Sequence, residues 1–369
     1  MSRLFNLQRL AAAFLLTLAF IQGAQAQAVT DALGRKVQVP DHVQRIILGE
    51  SRLIGAVALL DRDDPFGRIV GWQNDLHKLD PAGFAAYQAR FPKIVNIPLI
   101  GEASEQSVSA EKVLSLKPDL AIFSVSGHGP TEHSPVADAL IQAGVAVLFV
   151  DFRIHPVAGT HASLTAMGQA LGREKEAKAY LDFYDEHLKR ITDVVGNPAD
   201  AQRPTVFLEL LAGVWQAPGH TTGQSGMGEI IHLVGGRNIA AGVIPGALGD
   251  ISVEYALKAD PDLYVVTGNH APGLVLGAGV DEKTAQASLD KVLQRPEFAG
   301  LRAVHDGHVH GLWHDFYNSP FDILAIEALA KWVNPQALAS LDPAQTQSEI
   351  NQQFLKVPLQ GQYWVDKAK

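Results

Sequence analysis

The stretch SAEKVLSLKPDL, residues 109–120, returns as SVEYALKADPDL at residues 252–263, with Ser, Glu, Leu, Pro, Asp and Leu in register. In each copy the serine is suited to cap a helix, the glutamate lies in the first helical turn, and the Pro-Asp pair ends the helix. An apolar run follows each copy and predicts a strand. The repeat therefore predicts one helix, turn and strand unit in each of two similar lobes. Chance repetition of a common α/β unit is the alternative.

The first residues have the pattern of a secretory signal. Arg3 and Arg9 precede an apolar run over residues 10–21, and the small-residue sequence Ala24-Gln25-Ala26 follows. This order predicts cleavage after Ala26. The run is shorter than the roughly 20 residues that span a bilayer, so an uncleaved anchor is the weaker alternative. The chain has no cysteine, which excludes a lipid-accepting cysteine, a disulfide and a thiolate metal site. We expect a free periplasmic protein, soluble after cleavage.

The charge of the chain argues against a nucleic-acid partner. The formal net charge is −9, and loss of the signal removes two arginines and no acid. Nucleic-acid binding requires a basic surface, which this composition does not supply. An arginine that faces inward would be notable here, because the general field of the protein repels an anionic ligand.

Short apolar runs alternate with helical patterns along most of the chain, as in parallel βα units. They predict an α/β fold of two lobes with mostly parallel sheets, joined by a long backbone helix. Predicted strands of the first lobe cover residues 45–48, 68–71, 119–123 and 145–150. The second lobe has predicted strands at 205–210, 262–266 and 308–312 and helices at 226–234, 253–259 and 321–333. The expected division is a signal at 1–26, a first lobe at 27–157, a connecting helix at 158–197 and a second lobe at 198–369.

The connecting helix is predicted from an apolar stripe. Apolar residues between positions 160 and 195 recur every three or four residues, as on one face of a helix. At 1.5 Å per residue, about 35 residues would reach roughly 50 Å, enough for a stiff strut between two lobes. Gly172 is the weak point of this prediction, because a break there would give an ordinary pair of helices.

Motifs that resemble enzyme sites are incomplete. The glycine-rich segment 223–229 lacks the Lys-Ser/Thr of a phosphate loop and the third glycine of a dinucleotide site. There is no Gly-x-Ser-x-Gly elbow and no His-Glu-x-x-His helix, so we expect no enzymatic activity. Four histidines crowd one segment, but a strand places alternate side chains on opposite faces, so we expect no dedicated metal site from His305, His308, His310 and His314. A periplasmic metalloenzyme that uses this segment is an alternative of a different class.

Several motifs together resemble one protein family. They are VTDALGRKVQVP at 29–40, both copies of the repeat, VGGRN at 234–238, AVHDGHV at 303–309 and AKWVNP at 330–335. In this order they resemble the class III periplasmic substrate-binding proteins of ABC importers for ferric siderophores, haem and cobalamin. The resemblance covers essentially the whole mature chain.

The resemblance implies two α/β lobes with a long helix as backbone, a ligand in the cleft between them, and little hinge closure. We also expect no resident cofactor, with iron present only inside the bound chelate, and a monomeric protein. The resemblance also implies that one surface glutamate on each lobe docks onto arginines of the membrane permease. By motif position these are Glu111 and Glu254. Helix-start electrostatics, about 0.3 to 1 kcal/mol each, is their alternative role.

Ligands of open parallel sheets bind beyond the carboxyl ends of the strands. Side chains that follow the predicted strands are therefore candidates for ligand contact, and Arg237 is added to them, with a helix cap as its alternative role. The complete candidate set is Arg52, Trp72, His128, Arg153, Trp215, Arg237, His270, Trp313, His314 and Tyr317.

This set predicts the chemistry of the ligand. Arginine presents a planar fork to carboxylate or phenolate oxygens, and tryptophan or tyrosine offers flat apolar surface to a bulky chelate. We therefore expect a receptor that captures an anionic ferric siderophore and delivers it to an ABC-type inner-membrane permease. Haem is an alternative, with iron ligated by Tyr317 or His314, and cobalamin or a bare metal ion is another.

Overall fold

The computed structural model describes residues 26–215 and 217–368. The predicted signal sequence lies outside the described residues except for Ala26, which is the first residue of strand β1. None of the helices in the described part of the chain combines the length and the apolar character that a bilayer crossing requires.

The first lobe is built on a parallel sheet. Its strands are β3 (Ile46–Leu48), β4 (Ile69–Gln73), β5 (Leu99–Gly101), β6 (Leu120–Ser124) and β7 (Ala146–Val150), in the order β5-β4-β3-β6-β7. Strands β6 and β7 are buried along their whole length, as their unbroken apolar sequences predict for a sheet covered on both faces. The surrounding elements are the hairpin β1 (Ala26–Thr30) and β2 (Lys36–Pro40) and the helices α1 (Ile54–Leu60), α2 (Asp75–Leu79), α3 (Pro81–Arg90), α4 (Ala110–Ser115) and α5 (Pro135–Gln142).

The second lobe has a mixed sheet. Its parallel strands are β8 (Thr205–Glu209), β10 (Arg237–Asn238), β12 (Leu263–Gly268) and β14 (Val309–Trp313). Antiparallel strands β9 (His220–Thr222), β11 (Leu248–Asp250) and β16 (Trp364–Asp366) complete the order β11-β9-β8-β12-β14-β16, with β10 beside β8. The other elements are β13 (Gly277–Ala278) paired with β15 (Gly361–Gln362), and α8 (Met227–Leu233), α9 (Val253–Ala259), α10 (Glu282–Leu293), α11 (Arg302–Asp306), α12 (Asp322–Val333) and α13 (Pro343–Gln353).

The connection between the lobes consists of two helices, α6 (Pro156–Leu171) and α7 (Glu174–Val195). The prediction of one helix over 158–197 is wrong at Gly172, which adopts a left-handed conformation with φ +62° and ends α6. The helices then run antiparallel, since His161 Nε2 lies 2.8 Å from Asp185 Oδ1. Helix α7 alone, about 33 Å long by its 22 residues, packs on α1 of the first lobe and on α12 of the second. It is the long helix that joins the lobes.

The two copies of the repeat fold alike. Ser109 caps α4 by accepting a hydrogen bond from the Lys112 N–H, and Ser252 caps α9 by accepting one from the Tyr255 N–H. Behind each helix one residue takes the left-handed conformation at the same repeat position, Lys117 in one copy and Asp260 in the other.

The repeated Pro-Asp has one further shared role. Asp119 accepts hydrogen bonds from the backbone N–H groups of Gln44 and Arg45, just before β3. Asp262 accepts one from the N–H of Thr205, at the start of β8. Each aspartate thus ties the start of its own strand to the start of the neighbouring strand.

The predicted α/β fold with two sheets joined by a long helix is confirmed.

Candidate functional site

The two sheets present the carboxyl ends of their parallel strands to each other. Arg52, in the short helical turn Ser51–Leu53 after β3, contacts Asp315, in the turn His314–Asn318 after β14. Arg153, after β7, covers the ring of Tyr317. The cleft that these residues define lies where ligands bind in open α/β sheets.

Arg52 is held by three carboxylates. Its Nε lies 3.0 Å from Asp75 Oδ2, its Nη2 3.1 Å from Glu50 Oε2 and its Nη1 2.8 Å from Asp315 Oδ1. The side chain is 7% exposed. Its fork is therefore occupied by the protein's own acids, and one of these pairs joins the two lobes.

Protonation of this network is set by burial and by the arginines. Burial alone would raise the pKa of Glu50, but Arg153 and Arg52 lower it, and the net pKa lies below its ordinary value. For Asp75 burial outweighs the attraction of Arg52, and the net pKa is raised. Glu50 is thus the carboxylate of the cluster that stays ionised to lower pH, and Asp75 is the one that takes up a proton more readily.

Arg153 differs from Arg52 in having free donors. Asp151 fixes the local turn by accepting hydrogen bonds from the N–H groups of Arg153 and Ile154, at 2.8 and 2.7 Å. The guanidinium of Arg153 lies 4.9 Å above the ring of Tyr317 and 3.7 Å from Glu50 Oε2, too far for a hydrogen bond. Its buried Nε and Nη2 have no hydrogen-bond partner among the described residues. A buried cation with two unused donors is suited to bind an anionic oxygen.

His314 lies beside this arginine. Its Nδ1 is 2.9 Å from Thr267 Oγ1, and its ring centre is 4.7 Å from that of Tyr317. Burial is the main cause that lowers the pKa of His314 to about 4, and Arg52 and Arg153 act in the same direction. The imidazole is therefore neutral near pH 7.

An apolar cavity of about 500 Å³ extends from the ion-pair network between the lobes. Its polar lining includes Arg52, Asp315 and Asn318 of the ion-pair network and also Asp80, Arg90 and Lys356. Its apolar wall comes from both lobes and includes Ile54, Leu76, Tyr87, Trp313, Phe321, Leu359 and Tyr363. A narrow cavity of about 30 Å³ lies beside Arg153, His314 and Tyr317. The cleft thus combines a charged centre with one large apolar wall.

The three candidate tryptophans lie in different environments. Trp72 is 2% exposed and packs against Phe66 and Phe84, so it belongs to the core of the first lobe. Trp313 lines the large cavity, and its Nε1 has no partner among the described residues. Trp215 is 54% exposed, and its ring lies 5.3 Å from that of His220.

The candidate histidines His128 and His270 also lie in different environments. His128 is exposed at the cleft, where its backbone N–H donates to Glu50 Oε1 at 3.1 Å. Partial loss of solvent around the ring, followed by the charge of Arg52, lowers the pKa of His128. His270 is half-buried, and its Nε2 lies 3.2 Å from Asp80 Oδ1, which is a second contact between the lobes. Nε2 makes no hydrogen bond to any described residue.

Arg237 does not lie with the other candidates. It is in β10, opposite Thr205 at the amino end of β8, whereas the cleft is at the carboxyl ends. The sequence-based prediction that Arg237 contacts the ligand is therefore wrong. A glycine turn followed by an arginine does not show at which end of the sheet the arginine lies.

The histidine-rich segment is dispersed in the fold. His305 is in α11, and His308 precedes β14. His310 stacks on Trp332 at 4.5 Å and pairs with Asp366 at 2.8 Å. Across residues 26–215 and 217–368, no three His, Asp or Glu side chains are grouped so as to hold a metal ion.

Glu111 and Glu254 are exposed in the first turns of α4 and α9. Hydrogen bonding to the backbone N–H, then to Ser252, lowers the pKa of Glu254. Both positions present an acid to solvent at equivalent points of the two lobes.

The sequence did not reveal the acids of the cleft. Glu50, Asp75, Asp80 and Asp315 were missed, although Glu50 lies two positions before the predicted site residue Arg52 and Asp315 directly follows the predicted site residue His314. The available signal was the arginines themselves, because a buried guanidinium requires counter-charges.

The chain matches the family model described as periplasmic binding protein over residues 85–315. The solved structure of the TroA-like periplasmic binding protein FepB from Veillonella parvula has a TM-score of 0.81 and 24% identity, covering 92% of this chain and 99% of that one. The molybdate-binding protein MolA from Haemophilus influenzae is 23% identical, over 73% of this chain and 78% of its own. The high-affinity heme uptake system protein IsdE from Staphylococcus aureus is 25% identical, over 62% of this chain and 70% of its own.

Proposed function

Since the chain belongs to the periplasmic binding protein family, a family of ABC-importer receptors, we propose that its cargo is a ferric siderophore. In this proposal the protein captures the chelate in the periplasm, holds it in the cleft without covalent chemistry, and delivers it to an inner-membrane permease. Glu111 and Glu254 provide one acidic docking point on each lobe. The N-terminal signal directs export, and the mature protein acts as a monomer.

The single observation that carries the ligand class is the guanidinium of Arg153. Its unpartnered Nε and Nη2 supply two buried donors for acidic oxygens of a chelate. Arg52 cannot take this role in the described arrangement, because its fork already pairs with three carboxylates. Arg153 is therefore the anchor for the anionic part of the ligand.

The large cavity supports a ligand with extended apolar surface. A volume of about 500 Å³ falls in the range of roughly 300–1,000 Å³ that small-molecule sites occupy. Trp313 and Tyr363 contribute flat aromatic surface to it. A small tetrahedral oxyanion, such as the molybdate for which MolA is named, would use Arg153 but leave this apolar wall unfilled.

Haem is the second candidate for the bound ligand, and one specific observation favours it. The neutral ring of His314 lies against Tyr317, and both side chains line the narrow cavity beside Arg153. A neutral imidazole or a tyrosinate can ligate haem iron, and Arg153 would then pair with a propionate. IsdE, named for haem uptake, is among the relatives.

A ligand panel separates these possibilities. The purified mature protein is titrated with a ferric tris-catecholate, a ferric tris-hydroxamate, haemin, cobalamin and molybdate, with tryptophan fluorescence and native mass spectrometry as readouts. The proposal expects one ferric siderophore bound per chain and recovered unchanged. Haemin binding with a Soret shift, and no siderophore complex, would transfer the assignment to haem. Chemical turnover of the ligand would contradict a receptor.

A further inference from the structure

The large cavity of the cleft and the Arg153 anchor are separate compartments. The cavity of about 500 Å³ shares no lining residue with the narrow cavity beside Arg153. Arg52 and Asp315, whose side chains pair at 2.8 Å, belong to the lining of the large cavity and not to that of the narrow one. The group that occupies the large cavity is therefore distinct from the anionic oxygen that Arg153 would hold.

The deep part of the large cavity is apolar. Ile54 and Leu76 of the first lobe and Phe321 and Tyr363 of the second line it, and each of them is at most 5% exposed. The lobes touch beside these residues, since a Cβ added to Gly55 would lie 3.1 Å from the ring of Phe321. A group that reaches this part of the cavity leaves water, so it must itself be apolar.

The buried charges of the lining are already engaged by the protein. Arg52 pairs with Asp315 and with two further carboxylates. Asp80 accepts a hydrogen bond from the N–H of Gly83 as the cap of α3, and it lies 3.2 Å from His270 Nε2. The two acids of the lining, Asp80 and Asp315, are at most 8% exposed. They therefore present little charge to a ligand.

The opening of the large cavity carries two exposed cations, one from each lobe. The exposed residues of the lining lie on α3 in the first lobe and on Gly279 and the segment 356–360 in the second. Arg90 is the last residue of α3, and Lys356 begins the opposite segment. Lys356 approaches the exposed Asp63 at 3.5 Å, a surface pair that holds it weakly. Both cations can therefore attract an anionic group at the opening.

We propose that the large cavity is a site for a medium-length alkyl chain that carries an anionic group at the cavity opening. A cavity of about 150 Å³ holds a benzene ring, so a volume of about 500 Å³ has room for a chain of about ten carbons. The chain is either the acyl tail of an amphiphilic siderophore or that of a free fatty acid. The first of these two sources rests on the proposed function, whereas the alkyl site itself does not.

The test is calorimetric titration of the mature protein with sodium hexanoate, octanoate and decanoate. The Kd should fall about fourfold for each added methylene, which corresponds to about 0.8 kcal/mol. Ala86→Trp places a bulky ring on the exposed part of the lining and should raise the Kd for decanoate at least tenfold. Ala85→Trp, at the preceding exposed residue of α3 and outside the lining, is the matched control and should leave that Kd unchanged.

The charge at the opening is tested by combining Arg90→Gln with Lys356→Gln. This double variant should raise the Kd for decanoate several-fold and keep the fourfold effect of each methylene. An unchanged Kd would refute the anionic end of the ligand. If Ala86→Trp does not fold, as judged by circular dichroism, Ala89→Trp at another exposed residue of the lining takes its place.

Two forms of one ferric trihydroxamate, with a decanoyl or an acetyl group on the same amine, identify the source of the chain. Tighter binding of the decanoyl form by at least tenfold, lost in Ala86→Trp, would assign the site to a siderophore tail. Chain-length dependence of the carboxylates without binding of either chelate would refute the siderophore cargo and assign the site to a free fatty acid.

The alkyl site is overturned if no carboxylate binds, if the Kd does not change with chain length, or if its dependence on chain length survives the tryptophan substitution. Equal binding of the decanoyl and acetyl chelates in that case would leave the siderophore cargo standing without the alkyl site. The two proposals therefore fail separately.

Discussion

Arg52 Nη1 lies 2.8 Å from Asp315 Oδ1, and this ion pair joins the end of β3 in the first lobe to the end of β14 in the second. The two residues are 263 positions apart in the sequence. With Asp75 and Glu50 on its other nitrogens, Arg52 is a structural centre of the cleft rather than a free ligand contact.

Replacing Arg52 by glutamine should destabilise the protein strongly. The substitution leaves three buried carboxylates without their shared cation, and breaking a buried ion pair in this way costs about 3–5 kcal/mol. Urea denaturation measures the change in the free energy of unfolding. Lys189→Gln, which removes an exposed pair with Asp193, is the control and should cost at most about 1 kcal/mol. Equal effects of the two changes would contradict the role of Arg52.

His314 should make stability depend on pH between about 4 and 6.5. Its pKa in the folded protein is about 4, below the value of about 6.5 in an unfolded chain. Between these values the unfolded chain binds more protons, so the free energy of unfolding falls as the pH is lowered through this window. His314→Gln should reduce that fall, as measured by urea denaturation at pH 7.5 and 4.5. The exposed His42→Gln variant is the comparison, and an identical pH profile for wild type and His314→Gln would exclude this effect.

Reversing the charge of both Glu111 and Glu254 should abolish uptake and leave ligand binding intact. Each acid is exposed, so arginine at these positions disturbs no core contact but opposes basic residues on a permease. Uptake of radioactive iron by cells that carry the variant as their single copy should fall at least tenfold. Glu282→Arg, in the exposed first turn of α10, is the matched control. Normal uptake by the double variant would refute the docking role.

Gly172→Ala tests the break between α6 and α7. A side chain at φ +62° costs roughly 1–2 kcal/mol of backbone strain, and no atom lies within 4 Å of the added Cβ to complicate the comparison. Gly242→Ala is matched, because its Cβ is equally free and its φ is not in the left-handed region. Thermal unfolding should show a lower Tm for the first variant alone. Equal Tm values would mean that Gly172 is not required for the turn.

Local sequence patterns predicted the strands and helices of the molecule well. Predicted strands such as 119–123 and 262–266 differ from β6 and β12 by one or two residues, because uninterrupted apolar runs bounded by Pro-Asp leave few alternatives. The repeat even places Lys117 and Asp260 in the same left-handed conformation. Caps, turns and apolar periods are short-range features, and the sequence contains all of their determinants.

The cleft was harder to predict because its contacts are long-range. The rule that ligands bind beyond strand ends located both Arg52 and Arg153. It did not show that Asp315 would pair with Arg52, or that two nitrogens of Arg153 would have no hydrogen-bond partner among the described residues. The prediction for Arg237 was wrong for a related reason, since the position of this residue depends on which end of β8 pairs with β10. Trp72 follows the strand pattern, yet its ring turns into the core beside Phe66.

The anchoring role of Arg153 is tested most directly by titrating wild type, Arg153→Gln and Arg237→Gln with a ferric tris-catecholate while following tryptophan fluorescence. Loss of a charged hydrogen bond, about 1.5–3 kcal/mol, corresponds to a Kd roughly 10 to 100 times higher. We predict this increase for Arg153→Gln and an unchanged Kd for Arg237→Gln, which changes an arginine at the far end of the sheet. Chelate binding as tight to Arg153→Gln as to the wild type would contradict the account.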